Sequence, residues 1–381
     1  MNRKVIFYGI LIIVNFIILE ITSYYISIVF LAPRGIVYCS GQLNRDDFIR
    51  YNLIHDSLLG WTQGISQFKE VDISGSRKIP SFPDPQIDNS CISLYGDSYT
   101  WSNRNSAVDS WANQLSLLLN CRVSNFGGSG YGTDQAYLRY KLNLSDTAKI
   151  VVLNHFVFDI LRNVNQYWGF RSDSKKNRLL FKPRFLLDDD QLKLVPIPNK
   201  KQIQRFLTKD ELIENLEYDF FIPDGKSGLI TLDFPYTYAF IKSLFHPKFQ
   251  ALIRGEPTHL EFYNSNHISG SLEITQAIIE SFVELANSRK QIPIVTIIPY
   301  LNDFDYFNKT GKWSYQNLIK SLKKENIVVV NIGEKIIQLE KQYRFDHYYA
   351  GEGHFNKQGD ALLSKIMFQY LKNEIDTTIC N

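Results

Sequence analysis

Five short apolar runs, at residues 92–95, 123–126, 150–154, 292–298 and 327–332, punctuate the chain. Three of them (150–154, 292–298 and 327–332) are continuous in Val, Ile and Leu rather than alternating, the pattern of strands buried on both faces. Helical spacing separates them. Residues 109–119 place Trp111, Leu115 and Leu118 on one face, while 272–289 and 315–324 each precede a late strand. A last helix is expected at 356–371. Strands alternating with helices predict a doubly wound, mainly parallel five-stranded α/β sheet, flavodoxin-like in its three layers. In such sheets sites form outside the carboxyl ends of the strands.

Two regions stand outside this rhythm. Residues 5–31 are almost wholly apolar and carry one charge, Glu20. At about 1.5 Å per residue the run exceeds the roughly 30 Å hydrocarbon core of a bilayer. Arg3 and Lys4 precede it and Arg34 follows, which favours a cytoplasmic N-terminus with the rest of the chain outside. A cleaved signal peptide would have a shorter apolar region and a small-x-small site near residues 30–35, and the chain shows neither. The expectation is therefore a single-pass anchor over 1–34, with the lipid bilayer as partner. A juxtamembrane segment and Pro-rich linker follow at 35–90, then one α/β domain over 91–375. Residues 162–270 read as an insertion near the site, a lid or substrate-binding element. Within it Leu179–Leu187 and Gln191–Val195 flank Asp188-Asp-Asp190 as a hairpin.

Composition narrows the function. The net charge is +3 with both signs interspersed, so no basic field for nucleic acid exists. The four cysteines, Cys39, Cys91, Cys121 and Cys380, show no zinc-type spacing, and no metal is implied. Cys91 opens the first strand and Cys121 precedes the second. If these strands are neighbours, both cysteines sit at amino ends within disulfide reach. The 22 tyrosines and 26 phenylalanines would suit a sugar-contacting groove as well as an ordinary core.

Three segments carry chemistry. Gly96-Asp97-Ser98-Tyr99-Thr100-Trp101-Ser102 follows the first strand, where a sharp turn exposes a serine hydroxyl beside the N–H groups of a helix start. Asn125-Phe-Gly-Gly-Ser-Gly-Tyr-Gly-Thr-Asp-Gln135 follows the second strand, with glycines that let backbone donors approach a reacting group. No register of it gives G-x-G-x-x-G, there is no Walker A pattern, and no cofactor is implied. Glu352-Gly-His354-Phe-Asn-Lys-Gln-Gly359 precedes the last helix and offers a general base. G-x-S-x-G is missing from the sequence.

In this order, the three segments resemble the blocks of the SGNH (GDSL-like) hydrolase superfamily over about residues 90–372, apart from the insertion. Tyr131-Gly-Thr-Asp-Gln135 and Arg162-Asn163 resemble a membrane-anchored bacterial subgroup linked to surface polysaccharides. The resemblance implies Ser98 as nucleophile and His354 as base, with the Ser98 and Gly130 N–H groups as oxyanion donors. Two departures follow. The block-three Asn is replaced by Phe158, leaving Asn154 or His155 to supply the missing donor. The usual acid position, three before the histidine, is Gly351, so the acid is Glu352, Asp346 or none. The implied activity is ester chemistry outside the cytoplasm, on O-acetyl groups of a surface glycan. The alternatives are an O-acetyltransferase with the same triad, acting with a membrane-bound glycan-assembly partner, and a non-catalytic glycan-binding subunit.

Overall fold

The computed structural model describes residues 3–38, 45–62, 69–87, 89–171, 180–189, 191–205, 209–340, 345–351 and 353–375. The chain forms two compact units. One comprises Met1–Leu53, Asn165–Lys182 and Ile197–Thr258; the other comprises Ile54–Val164, Pro183–Pro196 and His259–Asn381.

The second unit is built on five parallel strands: β1 (Ser90–Tyr95), β2 (Arg122–Asn125), β3 (Ile150–Phe156), β4 (Ile292–Ile298) and β5 (Val329–Asn331). Their spatial order is β5-β4-β3-β1-β2. The β1–β3 junction is the switch point, since β1 leads outward to β2 and the chain then returns to the other side of β1. Register pairs Leu94 with Asn125, Tyr95 with Leu153 and Ile298 with Phe156. All seven side chains of β3 are buried, as a continuous apolar run at the centre of a sheet requires.

The helices in chain order are α1 (Ser98–Trp101), α2 (Trp111–Leu119), α3 (Thr133–Leu142), α4 (Asp159–Arg162), α5 (Ser271–Ser288), α6 (Leu301–Thr310), α7 (Gln316–Lys324), α8 (Ile332–Leu339) and α9 (Lys357–Glu374). Ser110 caps α2 and Asn356 caps α9, each accepting backbone N–H groups of the first turn. On α2, Trp111 and Leu115 are buried as expected, but Leu118 is 42% exposed. The helix ends one residue later, at the left-handed Asn120, and the buried face continues instead through Ala112 and Ser116.

The stretch 79–85, expected as an extended linker, belongs to this unit. Ile79 is buried, the Ser81 N–H donates to Asn113 Oδ1 at 3.0 Å, and the Arg122 guanidinium donates to the Phe82 carbonyl. The expected hairpin forms from Arg184–Asp188 and Gln191–Val195, antiparallel, with Asp189 in the left-handed region; Asp190 lies outside the described residues. It returns to the sheet unit, whereas most of the expected insertion, 165–182 and 197–258, groups with the N-terminal helix.

In the first unit a helix runs over Arg3–Ile26 and continues as a π-type turn to Leu31. It is long and apolar enough to cross a membrane, with a mean hydropathy of 2.4 in its most apolar window. Val37–Tyr38 then pairs in parallel with Ile230–Thr231.

Cys91 and Cys121 are joined in a disulfide, with Cα atoms 6.2 Å apart, at the amino ends of β1 and the β2 approach. The bridge closes a loop with a sequence separation of 30. Replacing both cysteines by serine is expected to cost about 3 kcal/mol through restored freedom of the unfolded chain. Urea unfolding of the two proteins side by side measures this difference.

Candidate active site

The backbone leaves β1 through Gly96, where any Cβ would fall 2.0 Å from Thr100 Oγ1 and 3.0 Å from the Asn154 carbonyl. This glycine permits the close turn. Asp97 then caps α1, its Oδ1 accepting the Tyr99 N–H at 2.8 Å. Ser98 becomes the first residue of a helix, where the backbone N–H has no intrahelical acceptor.

The glycine segment after β2 is drawn against this turn. Asn125 Nδ2 donates to the Thr100 carbonyl at 2.7 Å and its Oδ1 accepts the Gly127 N–H at 3.0 Å. The Gly128 N–H donates to the Gly96 carbonyl at 2.9 Å. Gly130 follows with φ +78°, inside a turn closed by Tyr131 N–H to Gly128 carbonyl at 3.1 Å. The Tyr131 hydroxyl donates to the Trp61 carbonyl at 2.7 Å, and Trp61 Nε1 donates to the Ser129 carbonyl at 2.9 Å, so the turn is held from both sides.

Ser98 and His354 meet, although 256 residues apart in sequence: His354 Nε2 lies 2.9 Å from Ser98 Oγ. The loop carrying the histidine is tied by Ala350 N–H to the His354 carbonyl and by Gly353 N–H to the Ala350 carbonyl, both at 2.7 Å. Gly353 has φ +83° and packs against the Tyr300 ring where a Cβ would stand. Tyr99 supports the loop from below: its hydroxyl donates to the Gly353 carbonyl and its ring stacks 5.2 Å from the imidazole and 4.3 Å from Phe156.

Burial lowers the His354 pKa below its ordinary 6.5; the Asp97 charge opposes this, while Arg162 and Arg104 add to it. The ring is therefore neutral near pH 7, the form that accepts a proton from serine. Among the described residues His354 Nδ1 has no hydrogen-bond partner. Glu352 lies outside the described residues, and Asp346 is exposed.

Beneath Ser98 sits a fully buried charge cluster. Arg162 Nη1 donates to Asp97 Oδ2 at 2.9 Å, to Asp159 Oδ1 at 2.7 Å and to the Tyr131 carbonyl at 2.8 Å. Asp97 Oδ2 also lies 3.3 Å from Ser98 Oγ. Burial, and then the charge of Asp97, push the Asp159 carboxyl well above the usual carboxylate range against the pull of Arg162. Burial works against the Arg162 charge, but the two carboxyl groups outweigh it and raise its pKa. Asp159 thus favours its protonated form more than an exposed carboxyl does. Arg162 entered the sequence reading only through the subgroup resemblance, and Asp159 had no role there.

Both residues expected as a third donor make hydrogen bonds within the fold. Asn154 lies inside β3, its Oδ1 accepting the Thr296 hydroxyl at 2.6 Å and its Nδ2 directed at the Tyr95 carbonyl at 3.4 Å. The amide is aimed along the sheet, engaged by both neighbouring strands. His155 is likewise committed: Nδ1 meets Thr133 Oγ1 and Nε2 meets the Tyr263 hydroxyl, both at 2.7 Å. Burial pushes its pKa down to about 3, so it stays neutral. Phe158, in the place of the missing Asn, packs against Phe156, His259 and Tyr300 with ring centroids 4.6–5.5 Å apart.

No family model and no curated protein matches the chain. Among solved structures it is similar to a lipolytic protein of the G-D-S-L family from Desulfitobacterium hafniense, at 15% identity over 74% of this chain and 99% of that one, with a TM-score of 0.35. It is also similar to a GDSL-like lipase from Bacteroides thetaiotaomicron (11% identity, 74% and 88% covered, TM-score 0.34). A third is an acetyl xylan esterase from the rumen bacterium Butyrivibrio proteoclasticus, at 10% identity over 76% of this chain and 64% of that one, with a TM-score of 0.33.

Removing one partner of a buried charge cluster leaves the other uncompensated. Arg162→Met is expected to destabilise the protein by about 3–5 kcal/mol, read from urea midpoints. Asp97→Asn is expected to lower the His354 pKa further, because the Asp97 charge raises it; an NMR titration of the imidazole measures the shift.

Proposed function

We propose that this chain is a serine esterase held at a membrane, acting outside the cytoplasm on O-acyl groups, most simply acetyl, of a surface glycan. One observation carries the reading: a serine at a helix start, 2.9 Å from a histidine whose pKa is lowered by burial. In the proposed reaction Ser98 Oγ attacks the ester carbonyl carbon while His354 Nε2 takes its proton. The developing oxyanion lies at the start of α1, with the Ser98 and Gly130 N–H groups as its proposed donors. Collapse returns the proton to the leaving sugar oxygen and leaves an acyl group on Ser98. Water, deprotonated by His354, then releases the acid. A sugar hydroxyl in place of that water would make the same site an O-acetyltransferase.

Support for the location comes from Arg3 and Lys4 ahead of the apolar helix, and from the Cys91–Cys121 disulfide, which persists in oxidising compartments. The aromatic group of Phe158 and Tyr300 supports a ring-shaped substrate beside the site. A second reading, a non-catalytic glycan-binding subunit, is favoured by Phe158 standing where an oxyanion donor is expected.

Fluorophosphonate labelling separates the two. An esterase is labelled at Ser98, and Ser98→Ala and His354→Ala abolish both labelling and release of acetate from acetylated glycan. The rate depends on neutral His354, so its acid limb lies below pH 6.5. Labelling that persists in Ser98→Ala, or an unlabelled wild-type protein that still binds glycan, removes the esterase reading.

A further inference from the structure

The N-terminal helix carries one polar stripe. Glu20, Ser23 and Ser27, with Leu31 continuing the line, are all 5% exposed or less, while Ile18, Leu19, Ile21 and Tyr25 on its other faces are 51–62% exposed. The stripe is covered by a segment far away in sequence. The Glu20 carboxylate accepts the Tyr236 N–H at 2.5 Å and the Thr237 N–H at 3.4 Å, and the Ser23 and Thr237 hydroxyls meet at 3.3 Å. These N–H groups are the first two of the helix Tyr236–Leu244, where the helix itself supplies no acceptor. An acidic group at a helix start also suits the helix dipole.

Depth follows from the helix rise. With Arg3 at one edge of a hydrocarbon core of roughly 30 Å, the core ends about 20 residues later, near Ser23. Glu20 then lies about 5 Å, and Phe16 about 10 Å, inside the outer boundary. Phe234 packs on Phe16 with ring centroids 6.2 Å apart, and Tyr236 on Tyr24 at 4.8 Å. At the other end, Leu232, Phe240 and Phe249 pack around Leu31, Ile36 and Val37. The chain therefore descends after Ile230–Thr231 to the level of Phe16 and climbs back along the N-terminal helix.

Its outward face is largely apolar, interrupted by exposed Asp233 and by Lys242, which pairs with Asp224 at 3.0 Å. Phe234, Tyr238, Ile241 and Phe245, spaced by four, three and four residues, are 65, 69, 49 and 76% exposed. Leu252 and Ile253, 44 and 66% exposed, extend the face onto the next helix, Pro247–Arg254. A stripe of large apolar side chains at helical spacing is unfavourable in water and favourable against acyl chains.

We propose that residues 232–240 form a re-entrant hairpin seated at the edge of the outer leaflet beside the N-terminal helix, with Phe234 and Tyr238 in contact with lipid. Non-helical backbone at membrane depth is tolerated where protein groups satisfy its donors, and Glu20 supplies that acceptor. A depth of about 5–10 Å is that of interfacial amphipathic helices. The tyrosines at this level, Tyr24, Tyr25, Tyr236 and Tyr238, match the aromatic belt of a membrane interface. This inference rests on the N-terminal helix spanning the bilayer, and the test treats the two separately.

The full chain with Cys39→Ser and Cys380→Ser, reconstituted in phosphatidylcholine–phosphatidylglycerol vesicles, receives one NBD-labelled cysteine at Val14, Leu144, Phe234 or Tyr238. At Phe234 and Tyr238 the label is expected to be quenched by 5-doxyl lipid and at least five-fold less by aqueous iodide than at Leu144. Iodide quenching there equal to that at Leu144, with Val14 still lipid-quenched, overturns the hairpin and leaves the anchor standing. Loss of lipid quenching at Val14 overturns the anchor and the hairpin together. Shielding of Phe234 and Tyr238 from both quenchers means a protein surface covers them, which also overturns the proposal. Glu20→Leu, but not Glu20→Gln, is expected to raise iodide quenching at Tyr238; no change removes the capping role of Glu20.

Discussion

One guanidinium group organises the neighbourhood of Ser98. Arg162 binds the carboxylate before the serine, the carboxyl group that begins α4, and the carbonyl that ends the glycine turn. Three segments that leave three different strands are thus referred to one point. A buried charge is costly unless it is paired and hydrogen-bonded, and here Arg162 meets two carboxyl groups and a carbonyl. The elevated pKa of Asp159 is the sign of that arrangement. Geometry at Ser98 inherits its rigidity from this cluster, through Asp97 as the cap of α1.

Asp97 also bears on the base. Its charge raises the His354 pKa, against burial and two arginines. The Asp97 charge reaches the ring from the serine side. Tyr99 does the mechanical part, stacking under the imidazole and bonding the loop at Gly353. Both residues neighbour the nucleophile in sequence, so one tetrapeptide positions the serine and steadies its histidine.

The unit that contains the N-terminal helix obeys a different constraint. In an apolar surrounding every backbone donor needs an acceptor within the protein. Glu20, the lone charge of the apolar run, meets the N–H groups of Tyr236 and Thr237 and so turns an expensive charge into a cap. The same residue that looked like a defect in a hydrophobic segment is the one that holds the distant helix to it.

Local pattern determined the strands, most helices and the hairpin, because burial on both faces demands apolar runs and a buried helical face demands a period near 3.6. The sequence also contained the pairing of Ser98 with His354, since both flank sheet elements that a doubly wound order brings to one edge. The hydrogen bonds of Asn154 and His155 were not legible in it. Which direction a strand side chain points, and which neighbour claims it, depends on partners as distant as Thr296 and Tyr263. Leu118 similarly lost its place in the core because α2 ends beside it. The roles of Arg162 and Asp159 were invisible for the same reason: charged residues near a helix start read as solvated until tertiary contacts bury them. The covering of the Glu20 stripe by a segment more than two hundred residues away was decided only by the folded structure, because hydrogen bonds between distant backbone and side chain leave no local period to read.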